Sequence, residues 1–318
     1  MKKKLAVQFN ESQKTRFVVQ RLRRCKHCGT YSVQASHRCS SCKRDHAYDL
    51  VQAIARKLTR RKVQSRALSL GILLCLAVLG AGTLKQLLIS IGAGLVLAAL
   101  LFWIQKRLGG YERAVHFQQL LQAEHGKIKA DLLHDLDRIA VDIKEERLKE
   151  AYEKLRELGY FFHNDPIKRA KLACLNRMVL RNDMELELES LIPSGYDRSF
   201  VDYLRKVAQV KRSLIKKAVL DYVVTYKHAI LQHEHGVEIL ANVAGAALRM
   251  KPYIDAYYDF ILEFLEYLPK ERLLRLAKLA SQHRQEWEEL YQRTEELVNS
   301  RYSFDPDFRG IFQRGTAG

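Results

Sequence analysis

Four cysteines, Cys25, Cys28, Cys39 and Cys42, have the residue type and spacing that most directly imply chemistry in this chain. Each pair encloses two residues, so two thiolates from one tight turn can reach the same ion. Two such turns complete a closed four-sulfur shell, the arrangement that holds structural Zn2+. A closed shell leaves no position for a substrate, so the metal is expected to supply folding free energy rather than catalysis. The competing readings of the same residues are a redox dithiol pair and disulfides, and a cytosolic setting disfavours the latter. His27 and His37 flank the ligands, but four thiolates already close the shell, so both are assigned to the surface. Gly29 follows the first pair and suits the turn there.

The Cys-x-x-Cys, ten residues, Cys-x-x-Cys pattern resembles the zinc-ribbon class over about residues 16–48 and nowhere else. That resemblance implies a small β fold held by one zinc. The class is shared by nucleic-acid-binding, protein-binding and purely structural modules. Leu5–Phe9 and Arg16–Leu22 read as β-like runs, the second leading into Cys25. Arg21, Arg23, Arg24, Lys26, Arg38, Lys43 and Arg44 surround the ribbon, with Tyr31 as a stacking surface. Basic residues beside an aromatic keep single-stranded nucleic acid open as a partner.

The longest apolar stretch lies downstream. Residues 67–104 carry Lys85 as their only charge. At about 1.5 Å rise per residue the stretch is too long for one crossing of a ~30 Å hydrocarbon core. It is expected to form a transmembrane hairpin of spans 67–84 and 87–104, turning at Thr83, Lys85 and Gln86. Basic flanks on both sides predict an integral membrane protein with both termini cytosolic, in the plasma membrane if the source is bacterial. Trp103 and Phe102 are placed as interfacial anchors. Gly71, Gly80, Gly82, Gly92 and Gly94, with small-residue ridges at Ser90/Gly94/Ala98 and Ala77/Ala81, predict close packing of the two helices on each other, or a homo-oligomer contact.

Charge is unevenly distributed. The net +18 resides mostly in residues 1–66, which hold 18 Lys and Arg against 3 Asp and Glu; the remainder holds 36 against 33. Residues 45–66 read as an amphipathic helix with Tyr48, Val51, Ala55 and Leu58 on one face, and 49–66 as its basic juxtamembrane part. Its residues Arg56, Lys57, Arg60, Arg61, Lys62 and Arg66 are expected to contact anionic lipid headgroups or nucleic acid.

Beyond a break at Gly109-Gly110, residues 111–300 read as an all-helical cytosolic domain, an irregular bundle or α-solenoid, and 301–318 as a loose tail. Leu148, Tyr152, Leu155 and Leu158 recur at helical spacing, Gly159 ends that helix, and Asp165-Pro166 opens the next. A long amphipathic run is expected from Asp197 to about His233. Candidate chemistry here is sparse. His228, His233 and His235 with Glu234 and Glu238 do not match His-Glu-x-x-His. Asp131, His134, Asp135 and Arg138 read as a solvated charged face, and Glu145, Glu146 and Glu150 as intrahelical pairing partners of Lys144, Arg147 and Lys149. Cys174 and Cys75 read as packing residues. Tyr253, Tyr257, Tyr258, Phe260, Phe264 and Tyr267 are a core cluster or a partner groove. The fold class is therefore mainly α, with a small β zinc ribbon at residues 1–48 and a membrane hairpin. The function read from it is a non-enzymatic, membrane-anchored adaptor whose helical domain binds a cytosolic protein. A tethered nucleic-acid binder is the alternative, followed by an enzyme with a dispersed site.

Overall fold

The computed structural model describes residues 8–10, 12, 15–34, 38–79 and 83–312. They divide into two units, one of residues 12–145 and one of residues 146–312 with 8–10.

In the first unit, strands β1 (Arg23–Cys25), β2 (Tyr31–Ser32) and β3 (Tyr48–Leu50) form an antiparallel sheet in the order β2-β1-β3. Arg24 pairs with Tyr31 on one side and with Asp49 on the other. The strand leading into Cys25 is shorter than the sequence suggests, because Val18–Arg21 winds into a 3₁₀ turn. Leu22 then enters the core, and its carbonyl receives the Val51 N–H. Of the run Leu5–Phe9, residues 5–7 lie outside the described residues; Phe9 belongs to the second unit, where its ring packs on Tyr152.

Helix α1 (Val51–Leu79) leaves β3 directly and packs against α2 (Leu84–Ala123). Its inward positions are Val51, Ala55 and Thr59, whereas Leu58 is exposed. The inner stripe is thus one residue away from the face containing Leu58. Thr83 caps α2 by accepting from the Gln86 N–H, so Lys85 and Gln86 belong to its first turn rather than to the connection. Arg66 and Glu112 join the two helices in an ion pair of 3.0 Å.

A hairpin exists, but its expected role does not hold. Among the described residues no helix is long and apolar enough to cross a membrane. Helix α2 runs unbroken past Ile104, through Arg107, Gly109-Gly110 and Glu112 to Ala123, so no separate second span is delimited. The transmembrane assignment of 67–84 and 87–104 is therefore corrected, and the integral-membrane localisation with its topology goes with it. Of the five hairpin glycines, Gly80 and Gly82 lie outside the described residues. Gly94 is buried, while Gly71 and Gly92 face open space and do not serve the contact between α1 and α2.

Helix α3 (His125–Lys144) closes this unit with Leu132, Asp135, Ile139 and Asp142 on its buried face. Glu145–Arg147 is the turn after it, with Glu146 at φ 62°, so the helix does not run on through these residues.

The second unit comprises α4 (Leu148–Leu158), α5 (Asp165–Arg177), α6 (Arg198–Val210), α7 (Lys217–Thr225), α8 (Lys227–Leu231), α9 (Gly236–Ala247), α10 (Lys251–Ala256), α11 (Tyr258–Glu263), α12 (Lys270–Gln282) and α13 (Glu288–Arg301). Gly159 ends α4 and Pro166 sits in the first turn of α5, as their sequence signals require. The run from Asp197 breaks at Lys211, whose backbone leaves the helical region at φ −145° and ψ 65°. Helix α9 is the hub: α6, α7, α8 and α11 all pack on it, and nearly every one of its side chains is buried. Its Ala- and Gly-rich sequence keeps it thin enough to be approached from several sides at once.

Candidate metal centre

The two cysteine turns share one construction. After Cys25, the Gly29 N–H returns to the Cys25 carbonyl at 3.1 Å; after Cys39, the Lys43 N–H returns to the Cys39 carbonyl at 3.1 Å. Each closing residue takes a left-handed backbone, Gly29 at φ 73° and Lys43 at φ 62°. Glycine does this without cost, whereas Lys43 adopts it with a Cβ in place.

These turns bring all four sulfurs within 4.8 Å of one another. Cys25 Sγ lies 3.7 Å from Cys42 Sγ, and Cys28 Sγ lies 3.6 Å from Cys39 Sγ. A tetrahedral zinc with bonds of about 2.3 Å requires neighbouring sulfurs about 3.8 Å apart. A disulfide requires about 2.05 Å, so the arrangement is that of ligands and not of cystines. The electrostatics agree. Burial opposes the Cys28 thiolate, but hydrogen bonds from the Thr30 hydroxyl and backbone outweigh it and bring that thiol to about 6. The backbone bond from Arg44 favours the Cys42 thiolate, yet burial and the three neighbouring sulfurs push Cys42 up to about 11. Four sulfurs this close cannot all ionise without a cation among them.

His27 is exposed, with Nδ1 3.0 Å from the Arg44 guanidinium, and contributes nothing to the sulfur shell. His37 lies outside the described residues. Tyr31 is 0% exposed, which removes it as a stacking surface for bases. Its hydroxyl donates to Glu124 at 2.8 Å, and Arg24 and Lys127 flank its ring. Several of the ribbon's cations have acidic partners within the unit: Arg24 faces Glu124, Lys26 faces Asp49 and Arg38 faces Asp45.

The residues that sequence reasoning missed are the carboxylates beneath the ribbon. Asp131 accepts the Tyr31 N–H at 2.8 Å, and Asp135 accepts the Ser32 hydroxyl at 2.6 Å. Asp135 is 1% exposed, so this part of α3 is a seat for β2 rather than a solvated charged face. The signal was available: Asp135 shares the α3 stripe with Leu132, Ile139 and Asp142.

Arg56, Lys57, Arg60, Arg61, Lys62 and Arg66 are all exposed along α1. Lys57 pairs with Asp49 and Arg66 with Glu112, which leaves the other four facing solvent.

The other candidates separate. His233 Nε2 lies 2.9 Å from Asp202 with its ring 4% exposed, His235 turns toward Glu238, and His228 joins neither. Burial pushes the Cys174 thiol up to about 12, consistent with a packing residue. Cys75 is exposed on α1, not packed. Tyr257, Phe260 and Phe264 are buried, and the Tyr257 hydroxyl donates to Asp221, so these three build core, whereas Tyr253 and Tyr258 are half-buried and Tyr267 is exposed. Comparison with family models, curated proteins and solved structures finds no match for the chain.

Proposed function

We propose that the chain is a non-enzymatic adaptor in which one structural zinc folds the N-terminal ribbon and the α1–α2 hairpin binds a protein partner. The observation that carries this reading is the unpartnered apolar surface of the hairpin. Leu68, Ile72, Leu73 and Leu76 on α1, and Val96, Leu97, Leu100 and Trp103 on α2, are exposed, with Ile72 at 60% and Val96 at 69%. Exposed large apolar side chains in this number on two packed helices are what an interaction site supplies. On α1 the cations Arg56, Arg60, Arg61 and Lys62 precede it. Charge complementarity therefore specifies a helical partner whose apolar face is bordered by acidic residues. The sulfur geometry supports zinc, since closed four-thiolate sites suit this ion.

The test is a proximity-labelling pull-down of the full chain beside two variants, Ile72→Gln with Leu100→Gln, and Arg60→Gln with Arg61→Gln. The reading expects the same acidic-bordered helical partner to be lost with the first pair and weakened with the second, while metal content measured by mass spectrometry stays at one zinc per chain. Partner recovery unaffected by the leucine and isoleucine changes would count against it.

A second reading, nucleic-acid binding, has its support on α1 rather than on the ribbon, because Arg56, Arg60, Arg61 and Lys62 are exposed without ion pairs among the described residues. It expects an affinity that falls steeply with salt, with a shallower slope once Arg60 and Arg61 are neutralised.

A further inference from the structure

In the unit of residues 146–312 many cations stand against carboxylates: Lys171 with Glu187, Lys227 with Glu263, Arg177 with Glu146 and Lys270 with Asp307. One region is built differently. Arg272, Arg275 and Lys278 recur at three-residue intervals along α12; Arg212, after α6, acts on Arg272 as a neighbouring like charge, and Arg249, after α9, meets Arg275 through its backbone carbonyl.

Three of these guanidiniums stitch helix ends together through main-chain carbonyls. Arg275 donates to Leu248 O at 3.0 Å and to Arg249 O at 3.1 Å. Arg249 donates to Ser213 O at 3.0 Å, and Arg212 to Ala208 O at 2.9 Å. Carbonyl acceptors satisfy the donors but neutralise no charge. Arg272 lacks even that: its Nε is buried without a hydrogen-bond partner. Its stem lies across α9 at Gly245, where a Cβ would meet Arg272 Cγ at 3.0 Å, so the position of the side chain depends on that glycine. Burial, then Arg212 and Arg275, disfavour the Arg272 charge, and only the carboxylate of Glu271 acts in the other direction. Beside it lies a concavity of ≈ 520 Å³ lined by Arg272, Arg275, Lys278 and Gln282 with Leu274 and Leu279, and with Glu271 as its one carboxylate against three cations.

Like charges assembled at the cost of mutual repulsion, fixed by their own backbone bonds and opening on a concave surface, are arranged for an anion. We propose that this face of α12 is a binding site for a small phosphate-bearing anion, with Arg272 and Lys278 as its principal charge donors and Arg275 held in place by its carbonyl bonds. A doubly charged oxyanion fits better than a carboxylate, because several cations share the site and planar guanidinium forks match phosphate oxygens. The site is independent of the metal centre and of the hairpin surface.

The experiment uses the full zinc-loaded chain, titrated with inorganic phosphate and separately with pyrophosphate, against chloride at constant ionic strength. Calorimetry and thermal unfolding are the readouts. Saturable binding is expected, weakened about tenfold in Arg272→Gln and in Lys278→Gln. Arg293→Gln, which removes a surface charge of the same unit paired with Glu289, should bind as the parent does. The Lys278 ammonium makes no ion pair among the described residues, so its variant keeps the test valid should Arg272→Gln fail to fold. A response that never saturates, or one equal in the parent, Lys278→Gln and Arg293→Gln, would show a general salt effect and overturn the proposal. Stronger binding of pyrophosphate than phosphate would place a second phosphoryl group in the same concavity; no saturable binding of either overturns the site.

Discussion

At the scale of single residues, the two cysteine turns make an internal comparison. They share one hydrogen-bond scheme, yet Gly29 closes the first and Lys43 the second, both with left-handed backbones. Lys43→Gly should stabilise the ribbon by up to about 1 kcal/mol, since it relieves a Cβ in that region. Gly29→Ala should destabilise it by about the same amount, and more if Lys127 Nζ, 3.2 Å from the new Cβ, does not yield. Chemical denaturation at fixed metal concentration reads both, and a loss of stability in Lys43→Gly would contradict the shared-turn account. The ligands themselves were legible in the sequence because a Cys-x-x-Cys turn is local. Its four residues fix two sulfurs whatever the rest of the chain does. Asp131 and Asp135 were not legible as ribbon contacts, because their partners Tyr31 and Ser32 lie 100 and 103 residues away. Spacing along α3 shows that Asp135 shares a stripe with Leu132 and Ile139 but not what covers that stripe.

Helices and strands show where local signals succeed and where packing overrides them. The stop at Gly159 and the start at Asp165-Pro166 hold, since each acts through its own backbone. Gly109-Gly110 does not break α2, which continues thirteen residues beyond Gly110 to Ala123. A pair of glycines costs a helix roughly 1 kcal/mol each relative to alanine, a penalty that packing of α2 against α1 and α3 can offset. A methyl group on Gly110 would project into open space, with nothing within 4 Å, so Gly110→Ala should raise stability by up to about 1 kcal/mol. Unchanged or lower stability would mean that the glycine serves something other than the helix. The seat between β2 and α3 can be tested in the same way. Asp135→Ala leaves the buried Ser32 hydroxyl without its acceptor and should cost about 1–3 kcal/mol. Ser32→Ala together with Asp135→Ala should cost less than the sum of the two single changes, because the pair acts as one contact. Additive losses in that cycle would rule out direct coupling.

For the whole molecule, two kinds of stabilisation respond to different solution conditions. Cys25 and Cys39 are themselves buried in the ribbon, with Ala47, Cys42 and Tyr48 packed around them, so a metal held by the four cysteines would add folding free energy at that point of the unit. The unit of residues 146–312 instead buries the apolar surface around α9 and draws electrostatic support from paired carboxylates. Asp165 is held below its ordinary 3.8 by the Ser194 hydroxyl, Asp305 by Lys270, and Glu286 below its ordinary 4.5 by Lys251. Each of these groups binds its proton less tightly in the folded chain than in the unfolded one. Their stabilisation is therefore fully present above about pH 5 and is lost as pH falls through the ordinary carboxylate range to the lowered folded values. Chelation at neutral pH should accordingly strip amide-exchange protection from β1, β2 and β3 while α9 keeps its own. Acidification of the chelated chain below about pH 4 should then lower the protection of α9, and Asp305→Asn should make that loss less steep. Were chelation alone to expose α9 as fully as β1, the metal would be holding more of the chain than its four cysteines touch.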